Sequence, residues 1–366
     1  MGSSKHSSPT SPHDERDTMF ARMARTPGTE PYRDYYARHP ERQRGDDHLR
    51  NLPGLCQPGG RYYDPDLARE TGAFFDAIGK IEIGEAEVQR WRDRIRADDD
   101  PTGTVKALLL EVGAVAVGCA QLDPAFIYSH KGRLDEDYGV AVELEHPSVV
   151  VFLVEMDYET CQGAPTGPMI RESARQYYRA AKASALLEAV LRSSGYGAKQ
   201  HYDAHYDLIL PPLAVAAGLG ELGRNNILLA ERYGSRVRIG AVSTDLPLTY
   251  DRPISLGVQA FCEICRKCAD TCPSGALSQG PREVVAGVSK WPTRVESCYA
   301  FWRKAGTDCG ICLATCPFSH RDNRLHNMAR SIIRRFPWSH RPMLWLDDLV
   351  YGRGWEPKGA GIDEAG

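Results

Sequence analysis

The sequence predicts a mixed α/β or α+β core followed by a cysteine-rich, metal-binding segment, and three observations carry that reading. Between about residues 60 and 250, apolar runs of strand character alternate with longer segments of helical period. Eight of the eleven cysteines fall between positions 262 and 316. Of the 366 residues, 42% are hydrophobic and 25% charged, which is ordinary for a globular chain able to bury a substantial core.

The elements follow in order. The polar opening MGSSKHSSPTSPHDERDT (residues 1–18) reads as a disordered tail. Residues 19–60 are charged and irregular, and DYYARHPERQRGDDHLRNLPGL suggests an extended arm wrapped over the core. The core itself is expected over 61–250. Glu85–Asp98 is a charged helix stopped by DDDPTG, and VKALLLEVGAVAVGCAQL is a buried helix running into a strand. SVVVFLVEM (148–156), β-branched and apolar throughout, is a strand buried on both faces. ESARQYYRAAKASALLEAVLRSSGYG is a long helix closed at Gly195. A short strand in AKQHY, a proline-initiated helix in PPLAVAAG and a strand in VRIGAVSTDLPL complete it. The cysteines occupy 251–325, and residues 326–366 are expected to pack back on the core.

A net charge of −3 gives no electrostatic footprint for nucleic acid. No run approaches the ~18 apolar residues of a membrane helix, and the first residues lack the apolar stretch and twin arginine of an export signal. A cytoplasmic location is therefore expected. In a reducing compartment clustered cysteines point to metal rather than to disulfides.

The first run, FCEICRKCADTCPSGAL, places Cys262, Cys265, Cys268 and Cys272 at C-x2-C-x2-C-x3-C-P, the bacterial spacing for [4Fe–4S] clusters. The second, CYAFWRKAGTDCGICLATCPFSH, keeps C-x2-C-x3-C-P at Cys309, Cys312 and Cys316, with Cys298 displaced upstream. Because the fourth cysteine of such a run ligates the other cluster, one cluster takes Cys262, Cys265, Cys268 and Cys316. The other takes Cys272, Cys298, Cys309 and Cys312. Two structural zinc knuckles are the alternative, but zinc needs neither the C-P ending nor the third close cysteine. Two adjacent clusters form an electron wire and imply an acceptor elsewhere in the chain.

GLGELGR (218–224) spells G-x-G-x-x-G, and Asp245 follows near the distance a dinucleotide site requires. Its context argues otherwise: the preceding PPLAVAA is helical, and no βαβ unit fits. The glycines mark a tight turn or a place where backbone approaches a bulky cofactor.

PLAVAAGLGELGRN, GSRVRIGAVSTDLPL, FCEICRKCADTCPSGA and CGICLATCPFSH, in this order, resemble the corrinoid-dependent reductive dehalogenases and their relatives, the epoxyqueuosine reductases. The resemblance spans roughly residues 100–320. The arm, YSHKGR (128–133) and LWLDDLVYGRG favour the dehalogenase branch. It implies an α+β, nitroreductase-like core binding a base-off cobalamin, fed by a ferredoxin-like domain with two [4Fe–4S] clusters. The twin-arginine signal of respiratory members and the extra C-terminal module of self-sufficient ones are not found, so an external donor such as ferredoxin or flavodoxin is expected.

The implied reaction removes halide from a small organohalide and needs a proton donor held by a cation. The stretch HYDAHYDLILPP before the PLAV helix offers Tyr206 and Tyr202, with Tyr206 preferred by its offset from the glycine loop. Arg238 is the chosen cation, with Arg224 and Arg236 as alternatives. Gly218, Gly220, Gly223, Arg224, Asn225, Thr244 and Asp245 are the expected corrinoid-binding residues. His205, in a partial D-x-H-x-x-G pattern, lacks the required glycine and is not taken as a cobalt ligand. Asp203 and Asp207 leave tRNA epoxyqueuosine reduction open. A non-catalytic ferredoxin-like carrier is the other alternative.

Overall fold

The computed structural model describes residues 13–285 and 288–357. Four strands form the central sheet: β1 (Ala116–Gln121), β2 (Ser148–Glu155), β3 (Ala198–His201) and β4 (Val237–Thr244), in the order β1-β2-β4-β3. Every neighbouring pair is antiparallel, with Ala116 opposite Leu153, Val151 opposite Ala241, and His201 opposite Ala241. That topology has no parallel crossover and so excludes a doubly wound dinucleotide fold.

The continuous apolar run of β2 is explained by cover on both sides. Val150, Phe152 and Val154 point into a core shared with Ala183, Leu187 and Val190 of the long helix Gly167–Ser194. Val149, Val151 and Leu153 point the other way, toward Leu213 and Val215 of the helix Leu210–Ala216. The long helix ends as its sequence requires, with Gly195 left-handed at φ 101°. The helices Glu85–Arg96 and Thr102–Glu111 also fall where the pattern placed them.

Two expectations are corrected and a third is refined. Residues 19–60 are not extended: they carry the helices Met19–Ala24, Glu30–Arg38 and Pro40–Arg50, started by Thr18 and Thr29 caps and by Pro40. Of the tail expected over 1–18, residues 1–12 lie outside the described residues, but Glu15–Asp17 forms a 3-10 turn. There the buried Glu15 carboxylate accepts from the Gly132 amide at 2.7 Å. Of the C-terminal segment, Trp355 meets the core, donating to the Ala164 carbonyl at 2.8 Å, while the helices Arg324–Arg335 and His340–Tyr351 pack on the cysteine-rich domain. Ile333 and Leu344 share a cluster with Phe261, Cys262, Cys265 and Cys316. Residues 358–366 lie outside the described residues.

Candidate redox site

The two cysteine runs fold as similar halves. Cys262 and Cys265 lie on the helix Val258–Cys265, and Cys268 on the turn Lys267–Asp270; Cys298 lies on Val295–Ala305, and Cys312 on Ile311–Ala314. The residue after the first cysteine of each C-x2-C is left-handed: Arg266 at φ 57° and Gly310 at φ 78°. Gly310 has a second reason to be glycine, because a Cβ there would lie 2.6 Å from Met169 Cε.

All eleven cysteines are free thiols. Burial and the neighbouring Cys316 and Cys262 thiols push Cys268 well up, and Cys262 in turn feels Cys316 and Cys265. Burial and the Cys309, Cys298 and Cys272 thiols do the same to Cys312. Cys262, Cys265, Cys268 and Cys316 thus neighbour one another, as do Cys272, Cys298, Cys309 and Cys312, and the two groups meet where Cys268 feels Cys312 and Cys312 feels Cys316. Amides are already aimed at the sulfurs. Cys316 accepts from the Phe318 and Ser319 amides, Cys265 from Lys267, Cys309 from Ile311, and Cys272 from Ser274, Ala276 and Leu277. Such donors stabilise thiolate, the form that binds iron. Eight buried or half-buried thiols, five of them facing backbone amides, fit two [4Fe–4S] clusters.

The glycine loop serves this domain. A Cβ on Gly218 would lie 2.6 Å from the Arg252 carbonyl oxygen, and one on Gly220 2.2 Å from that of Leu229. The chain's own backbone therefore explains these glycines. Arg224 offers its amide to the Cys262 sulfur. Its buried guanidinium donates to the carbonyls of Cys262, Ser278 and Gly280 at 3.1, 2.8 and 2.9 Å and stacks on Trp291. Asn225 donates to the Cys312 carbonyl at 3.4 Å. Arg236 is a second staple, donating to Ser319 O at 2.7 Å and Met156 O at 2.6 Å. Thr244 and Asp245 hold the β3–β4 edge, Thr244 donating to the Gly197 carbonyl and Asp245 accepting from the Gly197 amide at 2.8 Å. Arg224, Asn225 and Thr244 spend their bonds on the chain's own backbone, while Arg236 Nη2 has no hydrogen-bond partner among the described residues.

A different polar cluster lies beside the second thiol set. The Arg238 guanidinium lies over the Tyr177 ring, 5.0 Å from its centroid, and donates to Ser173 Oγ at 2.7 Å. It also pairs with Asp308 at 3.3 Å, next in sequence to Cys309. Tyr177 and Ser173, four residues apart, share one face of the long helix. Burial pushes the Tyr177 phenol up to about 12, opposed by the Arg238 and Arg133 cations. Tyr177 and Arg238 are half-buried. Arg238 Nε and Asp308 Oδ1 have no hydrogen-bond partner among the described residues. Buried polar atoms rarely stay unpaired, so this wall fits a group with complementary polar atoms.

Tyr206 has a different cation from the one expected. Arg133, not Arg238, donates to its hydroxyl at 3.3 Å while pairing with Asp203 at 3.3 Å. Asp203 also acts on Tyr177 and Arg238, which joins the two groups into one wall. Tyr206 and Tyr202 face a cavity of about 400 Å³ with Lys199 and Gln200; His205 is exposed at its rim. Tyr177, Arg133 and Asp308 were not legible as site residues from sequence. The available signals were the i, i+4 pair Ser173/Tyr177 on an otherwise core-facing helix side and the position of Arg133 within YSHKGR.

Residues 261–320 match the 4Fe–4S dicluster domain family. The tetrachloroethene reductive dehalogenase of Desulfitobacterium hafniense is 33% identical over 215 residues, 56% of this chain and 38% of that protein. A catabolic reductive dehalogenase solved in complex with 3-bromo-4-hydroxybenzoic acid superposes at TM-score 0.65 with 30% identity, over 70% of this chain and 37% of that one. Another, whose structure suggests a mechanism for B12-dependent dehalogenation, gives TM-score 0.68 at 26% identity, over 85% of this chain and 46% of that one. The chain thus spans less than half the length of these relatives. No described helix is long and apolar enough to cross a membrane. In sequence over the matched residues and in fold, the chain is similar to the reductive dehalogenases, and residues 261–320 match a 4Fe–4S dicluster domain.

Proposed function

We propose that this chain is an iron–sulfur- and corrinoid-dependent reductase of the reductive dehalogenase type. It removes halide from a small organohalide (R–X + 2e⁻ + H⁺ → R–H + X⁻) with electrons from a carrier such as ferredoxin or flavodoxin. The observation that carries this reading is the adjacency of the Cys272, Cys298, Cys309 and Cys312 set to the Tyr177–Arg238–Asp308 wall, through Asp308 and Cys309. We take the space in front of this polar cluster as the reaction chamber, for which a ferredoxin-type carrier has no use. The named substrates of the relatives, tetrachloroethene and 3-bromo-4-hydroxybenzoic acid, support a small halogenated compound.

Cys262, Cys265, Cys268 and Cys316 would hold the outer cluster and the other four cysteines the inner one, which together supply one-electron transfer into the chamber. A base-off cobamide, when bound, would supply two-electron attack on the carbon–halogen bond; Arg238 Nε and Asp308 Oδ1 are the open atoms available to hold polar groups on that wall. Tyr177 keeps its proton at physiological pH and delivers it to the carbon. Arg238 steadies the phenolate left behind, and Ser173 and Asp308 fix the guanidinium.

Anaerobic reconstitution with iron, sulfide and hydroxocobalamin tests this. Two clusters should bring about eight irons per chain and cobalt in proportion to protein, with bromide released from 3-bromo-4-hydroxybenzoic acid under dithionite. Iron and sulfide without cobalt would overturn the corrinoid reading and leave a carrier.

A further inference from the structure

We propose that the Trp302 indole tunes the reduction potential of the cluster held by Cys272, Cys298, Cys309 and Cys312, the set beside the chamber. The proposal rests on the redox reading above and adds a side chain that acts through one cysteine of that set. Cys298 is the cysteine displaced upstream in the second run, and it lies inside the helix Val295–Ala305. Backbone amides inside a helix are spent on its own carbonyls, and that of Cys298 donates to the Arg294 carbonyl at 3.1 Å. The first cysteine of the other run, Cys262, faces the Arg224 amide brought by a different segment. At Cys298 the donor is a side chain instead, the Trp302 indole N–H.

The helix dictates this placement. Cys298 and Trp302 stand at i and i+4, so they share one face. A long side chain on a helix leans toward the preceding turn, which carries the Trp302 ring back over Cys298. The ring is then held from two sides. On the outside, its centroid lies 6.0 Å from that of Phe20 and 6.2 Å from that of Tyr299, and Phe20 meets Tyr299 edge-on at 5.8 Å. Phe20 is itself kept there, because Arg22 of the same short helix, Met19–Ala24, pairs with Glu296 at 2.8 Å. On the inside, Trp302 packs on the apolar cluster that contains Met169 and Cys309.

Phenylalanine would supply those ring contacts equally well, so the nitrogen is the feature that needs a partner. An indole N–H donates and cannot accept, and at a sulfur it stabilises negative charge only. One-electron reduction adds a negative charge that a cluster shares with its ligand sulfurs. A donor fixed at one of them therefore favours the reduced form and raises the potential. The N-terminal helix Met19–Ala24, far from the cysteines in sequence, thereby bears on the redox centre through Phe20.

The test is a potentiometric titration of the reconstituted protein followed by electron paramagnetic resonance. Trp302→Phe keeps a ring in place and removes the donor. One of the two cluster potentials should fall by about 59 mV, which is a tenfold change in the equilibrium constant of a one-electron couple, while the other stays where it was. Phe20→Ala leaves the N–H but loosens the ring, and should move the same potential in the same direction by less. Trp302→Phe with wild-type iron content and both potentials unchanged would overturn the proposal. A measurement on the wild type alone keeps the test decisive should that variant lose a cluster. With tryptophan labelled by a heavy nitrogen isotope in the indole, the reduced protein should show a hyperfine coupling to the label in pulsed resonance, and no coupling would overturn the proposal as well. A wild type that binds no iron on reconstitution would instead refute the cluster reading on which the proposal stands.

Discussion

Replacing Tyr177 with phenylalanine removes one oxygen from the chamber and leaves the ring under Arg238. If that oxygen carries the proton to carbon, the loss is that of a general acid, about 10²–10⁴ in rate, or roughly 3–5 kcal/mol of barrier. Tyr206→Phe is the internal comparison. Its hydroxyl accepts one long hydrogen bond, 3.3 Å from Arg133, and losing it should cost about 1 kcal/mol, less than about tenfold in rate. The pH dependence separates the two further. Burial holds the Tyr177 phenol at about 12 in the folded protein, above the value of about 10 for a free tyrosine. The donor is therefore protonated throughout the neutral range, and an alkaline fall in kcat should approach 12. By linkage, the stability this raised pKa contributes is fully present below about pH 10 and is lost as pH rises toward the folded value. Arg238→Met should push the phenol higher still and slow turnover while leaving both cluster spectra intact. The assay is bromide release from 3-bromo-4-hydroxybenzoic acid by the reconstituted protein under dithionite. Tyr177→Phe active within a few-fold of wild type, with Tyr206→Phe inactive, would refute this assignment and return the role to the tyrosine expected from sequence.

Other consequences concern the joints between domains. Arg224→Met strips a charged donor from three carbonyls, of Cys262, Ser278 and Gly280, and should destabilise the protein by about 4 kcal/mol in anaerobic urea unfolding. A change below about 1 kcal/mol would show that the staple is dispensable. Gly220→Ala places a methyl 2.2 Å from the Leu229 carbonyl oxygen; a loss of about 2 kcal/mol or more is expected, read as a drop in Tm even without any cofactor. At the C-terminal helix, burial raises the Asp347 carboxyl, but His320 and Lys267 outweigh it and hold the pKa below the ordinary value. Its contribution is therefore present above the unfolded pKa of about 3.9 and is lost as pH falls through the folded value. The stability gap between wild type and Asp347→Asn should accordingly be full at pH 7 and close on strong acidification.

The fold was legible where period and punctuation agree. SVVVFLVEM could only be a strand covered on both faces, and the long helix announced its end at Gly195. The arm was misjudged because its helices are amphipathic only in part: Arg22 and Asp46 form a buried ion pair, so polar residues do the inward-facing work there. The cysteine runs were legible because iron ligation dictates spacing along the chain. The chamber was not, because Tyr177, Asp203, Arg238 and Asp308 come from a helix, a loop, a strand and the cluster domain. No local pattern links positions brought together only by the sheet order β1-β2-β4-β3. A resemblance in motif order likewise located the region and left the choice between tyrosines open.

The same distinction explains the glycine loop. A G-x-G-x-x-G pattern records that backbone must pass close to something, and says nothing of what. Here the near neighbours are Arg252 and Leu229, and the tight turn delivers Arg224 and Asn225 to the cysteine-rich domain. Arg224 meets the Cys262 segment and Asn225 the Cys312 segment, so one loop grips a ligand run of each thiol set. On the proposed function, electron transfer between the two sets and the chamber would depend on fixed separations, and buried arginines bonded to carbonyls fix them more firmly than sliding apolar contacts can. That function also accounts for Arg236, which ties β4 to the Ser319 carbonyl beyond the last cysteine. Two arginines proposed as partners of a proton donor thus hold the wire in place, and only the third, Arg238, stands at the chamber.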